Sequence, residues 1–245
     1  MTALHWSARY GHLKTVTTLL QHKVNTDVRD INDGTALHWA ARNGHFDVVR
    51  LLAPLGQIHA IDCHKYTPLH FGAENGHLKV VEILISLGAC IEQGDEDGET
   101  ALHSSARNGH LRIVNTLLDY HANKEAREYD NLTPLHYAAG NGHYEVVRLL
   151  VMRGADLNLV DNENKTPSDL ALDGDFSSVY EFLTTWNKNN EIGDGDVQTH
   201  YPAKRIPSLE FSVRHENIFT FDLVLHCLDC YLTGQGCNMY LFLIN

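Results

Sequence analysis

Apolar positions along the chain form a pattern that restarts at fixed intervals. Val48, Val49, Leu51 and Leu52 make one cluster. Val80, Val81, Ile83 and Leu84, then Ile113, Val114, Leu117 and Leu118, then Val146, Val147, Leu149 and Leu150 are its copies. Such clusters predict an amphipathic helix buried on one side. Ahead of them lie shorter segments: TALHWSARYGH, TALHWAARNGH, TPLHFGAENGH, TALHSSARNGH and TPLHYAAGNGH, with a degenerate sixth, TPSDLALDGDF. They begin at Thr2, Thr35, Thr67, Thr100, Thr133 and Thr166, in steps of 33, 32, 33, 33 and 33 residues. A fixed period of this size predicts a solenoid of stacked units.

Each position in the short segment has a physical task. The threonine is placed to cap a helix by accepting an orphan backbone N–H. Pro68, Pro134 and Pro167 follow it at the first helical position, where a missing N–H costs nothing. Leu37, Leu69, Leu102 and Leu135 are expected to point inward. Ala40, Ala41, Ala73, Ala106, Ala138 and Ala139 are small enough for close helix packing. Gly11, Gly44, Gly76, Gly109 and Gly142 end the short helix, and Gly56, Gly88 and Gly154 close the longer one. Asp- and Asn-rich turns such as Asp95-Glu96-Asp97-Gly98 separate the units. Ten of the 17 histidines fall in two slots of this unit: His5, His38, His70, His103 and His136 three residues after the threonine, and His12, His45, His77, His110 and His143 after the glycine.

The pattern T-[PA]-L-H-x-[AGS]-A-x-x-G-H-x-x-[VI]-V-x-x-L-[LI], with the ending Gly154-Ala155-Asp156-Leu157-Asn158, resembles the ankyrin repeat over residues 2–185. The resemblance implies an all-α solenoid of helix pairs with hairpin-like loops on one side, its short helices lining a concave face. It also implies a protein–protein interaction module, a scaffold or adaptor, that needs no cofactor. The domain boundary is expected at residue 185, with repeats starting near 2, 35, 67, 100 and 133 and a capping repeat near 166. In that cap, Phe176, Val179, Phe182 and Leu183 are expected to pack inward.

Three stretches depart from the pattern. Repeat one starts a residue after the chain begins and has internal-repeat residues where a polar cap is expected. This motivates an alternative reading, a regulatory or targeting fragment of a larger enzyme or channel. In repeat two, Pro54 and the shortened Gly56-Gln57-Ile58-His59 predict an early helix end and irregular backbone over residues 53–60. Residues 186–245 leave the pattern: 187–200 read as a linker, and the chain turns apolar from Ile218. Asp222, His226 and Asp229 interrupt that apolar stretch, which makes it a poor membrane helix.

Composition narrows the function. The 245 residues carry 19 Lys+Arg against 31 Asp+Glu, a formal net charge of -12. That disfavours nucleic acid and anionic lipid as partners. Five cysteines do not make a disulfide scaffold, and the N-terminus has no signal-peptide pattern, so the expected location is cytoplasmic or nuclear. No P-loop, G-x-S-x-G, H-E-x-x-H or Rossmann fingerprint is present, so no enzyme and no catalytic residue is expected. The histidines are expected to bridge backbone groups rather than to form a metal ladder, because each unit supplies its own at a separate level. Cys227-Leu228-Asp229-Cys230, with His226 and Cys237, resembles half a zinc site, but the spacing matches no standard finger and free thiols are expected.

The candidate docking residues are the non-consensus ones. Trp6, Trp39, Phe71, Ser104 and Tyr137 lie four residues after each threonine; Arg9, Arg42, Glu74, Arg107 and Gly140 lie seven after it. A spacing of three places the two sets side by side on the short helix. Aromatic and arginine side chains are enriched at binding hot spots. Equally, the aromatics can take a leucine's place between repeats. The loops offer a second surface. Glu96, Asp97 and Glu99 belong to an acidic cluster with Glu92 and Asp95, which either attracts a basic partner or is merely a solvated turn. Tyr66, Tyr129 and Leu132 are apolar positions on other tips. The expected partner is a protein segment with apolar and acidic groups, bound by a monomer.

Overall fold

The computed structural model describes residues 1–191, with side chains through residue 187. The described residues form twelve α-helices and one short 3-10 helix, with no strand. Six short helices of seven residues each open the repeats: α1 (Ala3–Arg9), α3 (Ala36–Arg42), α5 (Pro68–Glu74), α7 (Ala101–Arg107), α9 (Pro134–Gly140) and α11 (Pro167–Asp173). Each is followed by a partner: α2 (Leu13–Gln21), α4 (Phe46–Leu52), α6 (Leu78–Ser86), α8 (Leu111–Asp119), α10 (Tyr144–Met152) and α12 (Ser177–Glu191). Every short helix packs on the short helix of the next repeat, and every longer helix on the next longer one. The result is two parallel rows, an all-α solenoid of repeats.

The core is a strip between the rows. Leu37, Leu69, Leu102 and Leu135 are fully buried, as are Ala40, Ala41, Ala73, Ala106, Ala138 and Ala139. The paired Val48/Val49, Val80/Val81, Ile113/Val114 and Val146/Val147 close the strip from the longer helices. Each buried leucine contributes about 1.5–3 kcal/mol. The alanines let neighbouring backbones approach closely.

The threonine and the first histidine form a capping box in every repeat that has both. The amide N–H of Thr35 donates to Nδ1 of His38 at 3.1 Å, and the same bond recurs at Thr2, Thr67, Thr100 and Thr133. Because Nδ1 accepts, the ring hydrogen sits on Nε2. From there it is donated to a carbonyl of the next repeat: His5 to Gly34, His38 to Tyr66, His70 to Glu99 and His136 to Lys165, at 3.1–3.2 Å. His103 reaches the carbonyls of Ala126 and Leu132. In the sixth repeat Asp169 completes the box, its Oδ2 accepting Thr166 N–H at 2.9 Å. It retains the cap without the forward reach.

The second histidine reaches backward. Nε2 of His45, His77, His110 and His143 bonds the carbonyls of Arg9, Arg42, Glu74 and Arg107 at 2.7–3.0 Å. The imidazole lies flat against the glycine that ended the preceding short helix. At Gly44 (φ +72°) an added Cβ would stand 2.6 Å from Nδ1 of His77, so glycine is needed for both its conformation and its lack of a side chain. Phe176 takes this place in the cap, against Gly142.

Repeat two is irregular where Pro54 stands. α4 stops at Leu52, two residues shorter than α6; the chain continues as a 3-10 turn over Ala53–Leu55 and ends at left-handed Gly56. At the other end, Val179 and Leu183 are buried, and Phe176 and Phe182 are partly so. Trp186 packs on Phe182 at 5.6 Å, and α12 runs past residue 185 to Glu191. The expected apolar tail and the Cys227–Cys230 half-site lie outside the described residues, as does the linker beyond residue 191.

Two outcomes follow from this packing. Burial holds His38, His70 and His103 down to about 4 and also lowers His136. In the unfolded chain they titrate near their ordinary value of about 6.5. The contribution of His38, His70 and His103 to stability is therefore fully present above about pH 6.5 and is lost as pH falls toward about 4, by up to ~1.4 kcal/mol per pH unit for each, and His136 acts in the same direction. Urea-unfolding midpoints should fall steeply between about pH 7 and 5; equal midpoints would contradict the neutral tethers. Separately, Gly44→Ala should destabilise by about 2 kcal/mol or more, combining left-handed strain with the clash on His77. Gly56→Ala, with φ +99° but nothing within 4 Å of the added Cβ, should cost only about 1–2 kcal/mol in thermal unfolding.

Candidate functional site

The short helices present their fourth and seventh residues on one face. Trp6 stacks on Tyr10 at 5.9 Å, and the Arg9 guanidinium lies 5.4 Å from the Trp6 ring and 4.8 Å from the Trp39 ring of the next repeat. Arg42 lies 5.8 Å from Trp39 and 5.3 Å from Phe71. Rings and guanidiniums thus alternate from Trp6 to Phe71, each arginine reaching forward by one repeat. Such contacts are worth about 0.5–1 kcal/mol at exposed sites. The rings both pack between repeats and remain accessible: Trp6 is 44% exposed, and Trp39 and Phe71 are half-buried. Trp39 is oriented by its indole N–H, donated to Asp30 Oδ2 at 2.7 Å.

Ser104 breaks the row. It is buried and carries no ring. Beyond it the arrangement closes on itself: Arg107 stacks on Tyr137 at 4.2 Å and pairs with Glu99, and Tyr137 donates its hydroxyl to Glu99 Oε1 at 2.5 Å. Burial raises the Tyr137 hydroxyl above its ordinary value. Gly140 supplies no side chain, and Leu170 packs over it.

The loops depart from the sequence reading at Glu99 and Tyr66. Glu99 does not stand on a tip: it is 5% exposed, drawn in by Arg107 and Tyr137 of the following short helices. Asp95, 4% exposed, is also a structural group, its Oδ1 accepting the N–H groups of Asp97 and Glu99 at 2.9 Å. The same double cap recurs at Asp30, Asp62, Glu128 and Asp161, a period that sequence reasoning missed among the many loop acids. Neighbouring turns are joined by backbone bonds, Cys63 N–H to Asn32, Glu96 to His64, Tyr129 to Asp97 and Asn162 to Asp130, at 2.9–3.0 Å. Tyr66 likewise lies off the tips. It is half-buried against His70 and Phe71, at 5.4 and 5.2 Å. Burial, then the carboxylates of Glu74 and Asp95, push its hydroxyl up to about 12. Glu96, Asp97 and Tyr129 remain exposed, Tyr129 at 69%, and Ile31 joins them at 93%. Glu96 pairs with His64 at 2.7 Å and raises its affinity for protons.

Between short helices and tips runs an open groove of about 400 Å³. Its walls are Asn32, His64, Tyr66 and Phe71, the acids Asp62, Glu74, Asp95, Glu96, Asp97 and Glu99, and the bases Arg42 and Arg107. The groove is suited to surface recognition rather than to excluding water from a reaction. The first-slot histidines have both ring nitrogens committed to threonine and carbonyl. Among the described residues, no group of three or more His, Cys, Asp or Glu is placed to hold a metal ion.

Among the described residues, no helix is long and apolar enough to cross a membrane. No curated protein matches the chain. The family model described as ankyrin repeats in three copies matches residues 1–62, 55–128, 90–161 and 123–194 in overlapping windows. Ankyrin repeats are in general protein–protein interaction modules. The repeats stacked over these residues and the family match agree: the chain belongs to the ankyrin repeat family.

Proposed function

We propose that the chain is a scaffold or adaptor that docks a partner protein on its concave short-helix face, with the exposed tips as a second contact. The observation that carries this reading is the ladder from Trp6 to Phe71. Arg9 and Arg42 are held over aromatic rings and have no carboxylate within ion-pair distance among the described residues. A stacked guanidinium keeps its N–H edge free for a carboxylate, and half-exposed rings offer apolar area beside it. A net charge of -12 argues against nucleic acid as the partner. The reading includes a monomer acting in the cytoplasm or nucleus, and it invokes neither cofactor nor catalysis.

The test is affinity capture with the intact chain and with Trp39→Ala plus Arg42→Glu, identification of the captured protein by mass spectrometry, and titration of that protein against both. The double variant should keep its far-UV circular dichroism and bind at least about tenfold more weakly, as loss of hot-spot anchors does. Arg42→Glu alone, at an exposed position, guards against a folding defect and should weaken binding in the same direction. Unchanged affinity in both variants would refute docking on this face.

A further inference from the structure

The seventh position after each threonine carries a charge sequence that the fold leaves partly unspent. Arg107 is neutralised by Glu99. Arg9 and Arg42 rest on Trp39 and Phe71 and have no ion pair among the described residues. Glu74, half-buried at the same position of the third repeat, has no hydrogen-bonding or ion-pair partner for its carboxylate among them. It lines the groove together with Asp97, which deepens the negative potential there. Three successive rungs therefore read plus, plus, minus. Their backbones are fixed, because His45, His77 and His110 bond the carbonyls of Arg9, Arg42 and Glu74.

Packed helices stand about 8–10 Å apart. A peptide in the extended polyproline-II conformation advances about 3.1 Å per residue with about three residues per turn, so every third side chain faces the same way and three residues span about one rung. We propose that the short-helix face, from Arg9 to the groove at Glu74, binds a polyproline-II segment of a partner protein bearing two acidic side chains and one basic side chain at three-residue intervals, the acids over Arg9 and Arg42 and the base over Glu74. This rests on the docking reading above and adds the chemistry of the occupant. The charge order is fixed while the chain direction is not: acid–acid–base and base–acid–acid are the same order read from opposite ends. A segment with the base in the middle sets a cation on Arg42 and a carboxylate on Glu74, two repulsive contacts in place of two attractive ones.

The experiment uses the full chain and fluorescein-labelled peptides of one composition, with two aspartates and one lysine at three-residue intervals and leucine and alanine between them. The three orders are acid–acid–base, base–acid–acid and acid–base–acid. Fluorescence anisotropy should show at least one of the first two binding about tenfold more tightly than the third. Raising the salt should shrink the difference. Glu74→Arg, checked for unchanged circular dichroism, should abolish that preference and favour a peptide with three aspartates. Equal affinity for all three orders would overturn the charge order while leaving docking on the face intact. Absence of binding by every peptide up to about 1 mM would also overturn this inference. The captured-protein titration with the Trp39 and Arg42 variants then decides independently whether the docking reading fails with it.

Discussion

The structure depends on a neutral imidazole that holds one repeat to the next. A solenoid has no central core, so each unit is stable only through its neighbours. The junctions contain helix ends and turn carbonyls that burial would leave unsatisfied, at about 1–3 kcal/mol each. The first histidine of each repeat satisfies them at both ends: Nδ1 takes the threonine N–H, and Nε2–H reaches a carbonyl about thirty residues on. A protonated ring would place an N–H against an N–H, so charge at this position opposes both the burial and the geometry.

The second histidine connects this framework to the candidate docking face. Its target is the carbonyl of the residue at the seventh position, the same residue whose side chain forms the rung. The glycine beneath the ring lets the imidazole come close enough to make that bond. The spacing of Arg9, Arg42, Glu74 and Arg107 is thus set by the packing between repeats, not by contacts among the side chains themselves. Conserving the framework while varying the rungs changes what the face presents without changing how it is held.

Most of the fold was legible because it depends on local chemistry at short range. Threonine caps, inward leucines, glycines in left-handed conformation and the Pro54 break each follow from a few adjacent residues. The site was legible only in part. Trp39 and Arg42 share a helix, so their proximity followed from a spacing of three. Glu99 sits in an acidic run and reads as a surface charge. Its burial comes from Arg107 and Tyr137, which approach across repeat boundaries that the local pattern does not reveal. Tyr66 belongs to a loop by its neighbours in sequence and to the groove by its contacts with His70 and Phe71. Asp95 and its counterparts were hidden because Glu128 substitutes for aspartate in one copy and because free loop acids surround them all.

Ser104 divides the molecule's labour. Ahead of it, ring faces and guanidiniums stay available; behind it, Glu99, Arg107 and Tyr137 consume one another's bonding capacity. On the docking reading proposed above, the later short helices back the ones whose rings stay open. Each unit is stable only through its neighbours, so a change at Glu99, Arg107 or Tyr137 would reach the open rings through the junctions between repeats.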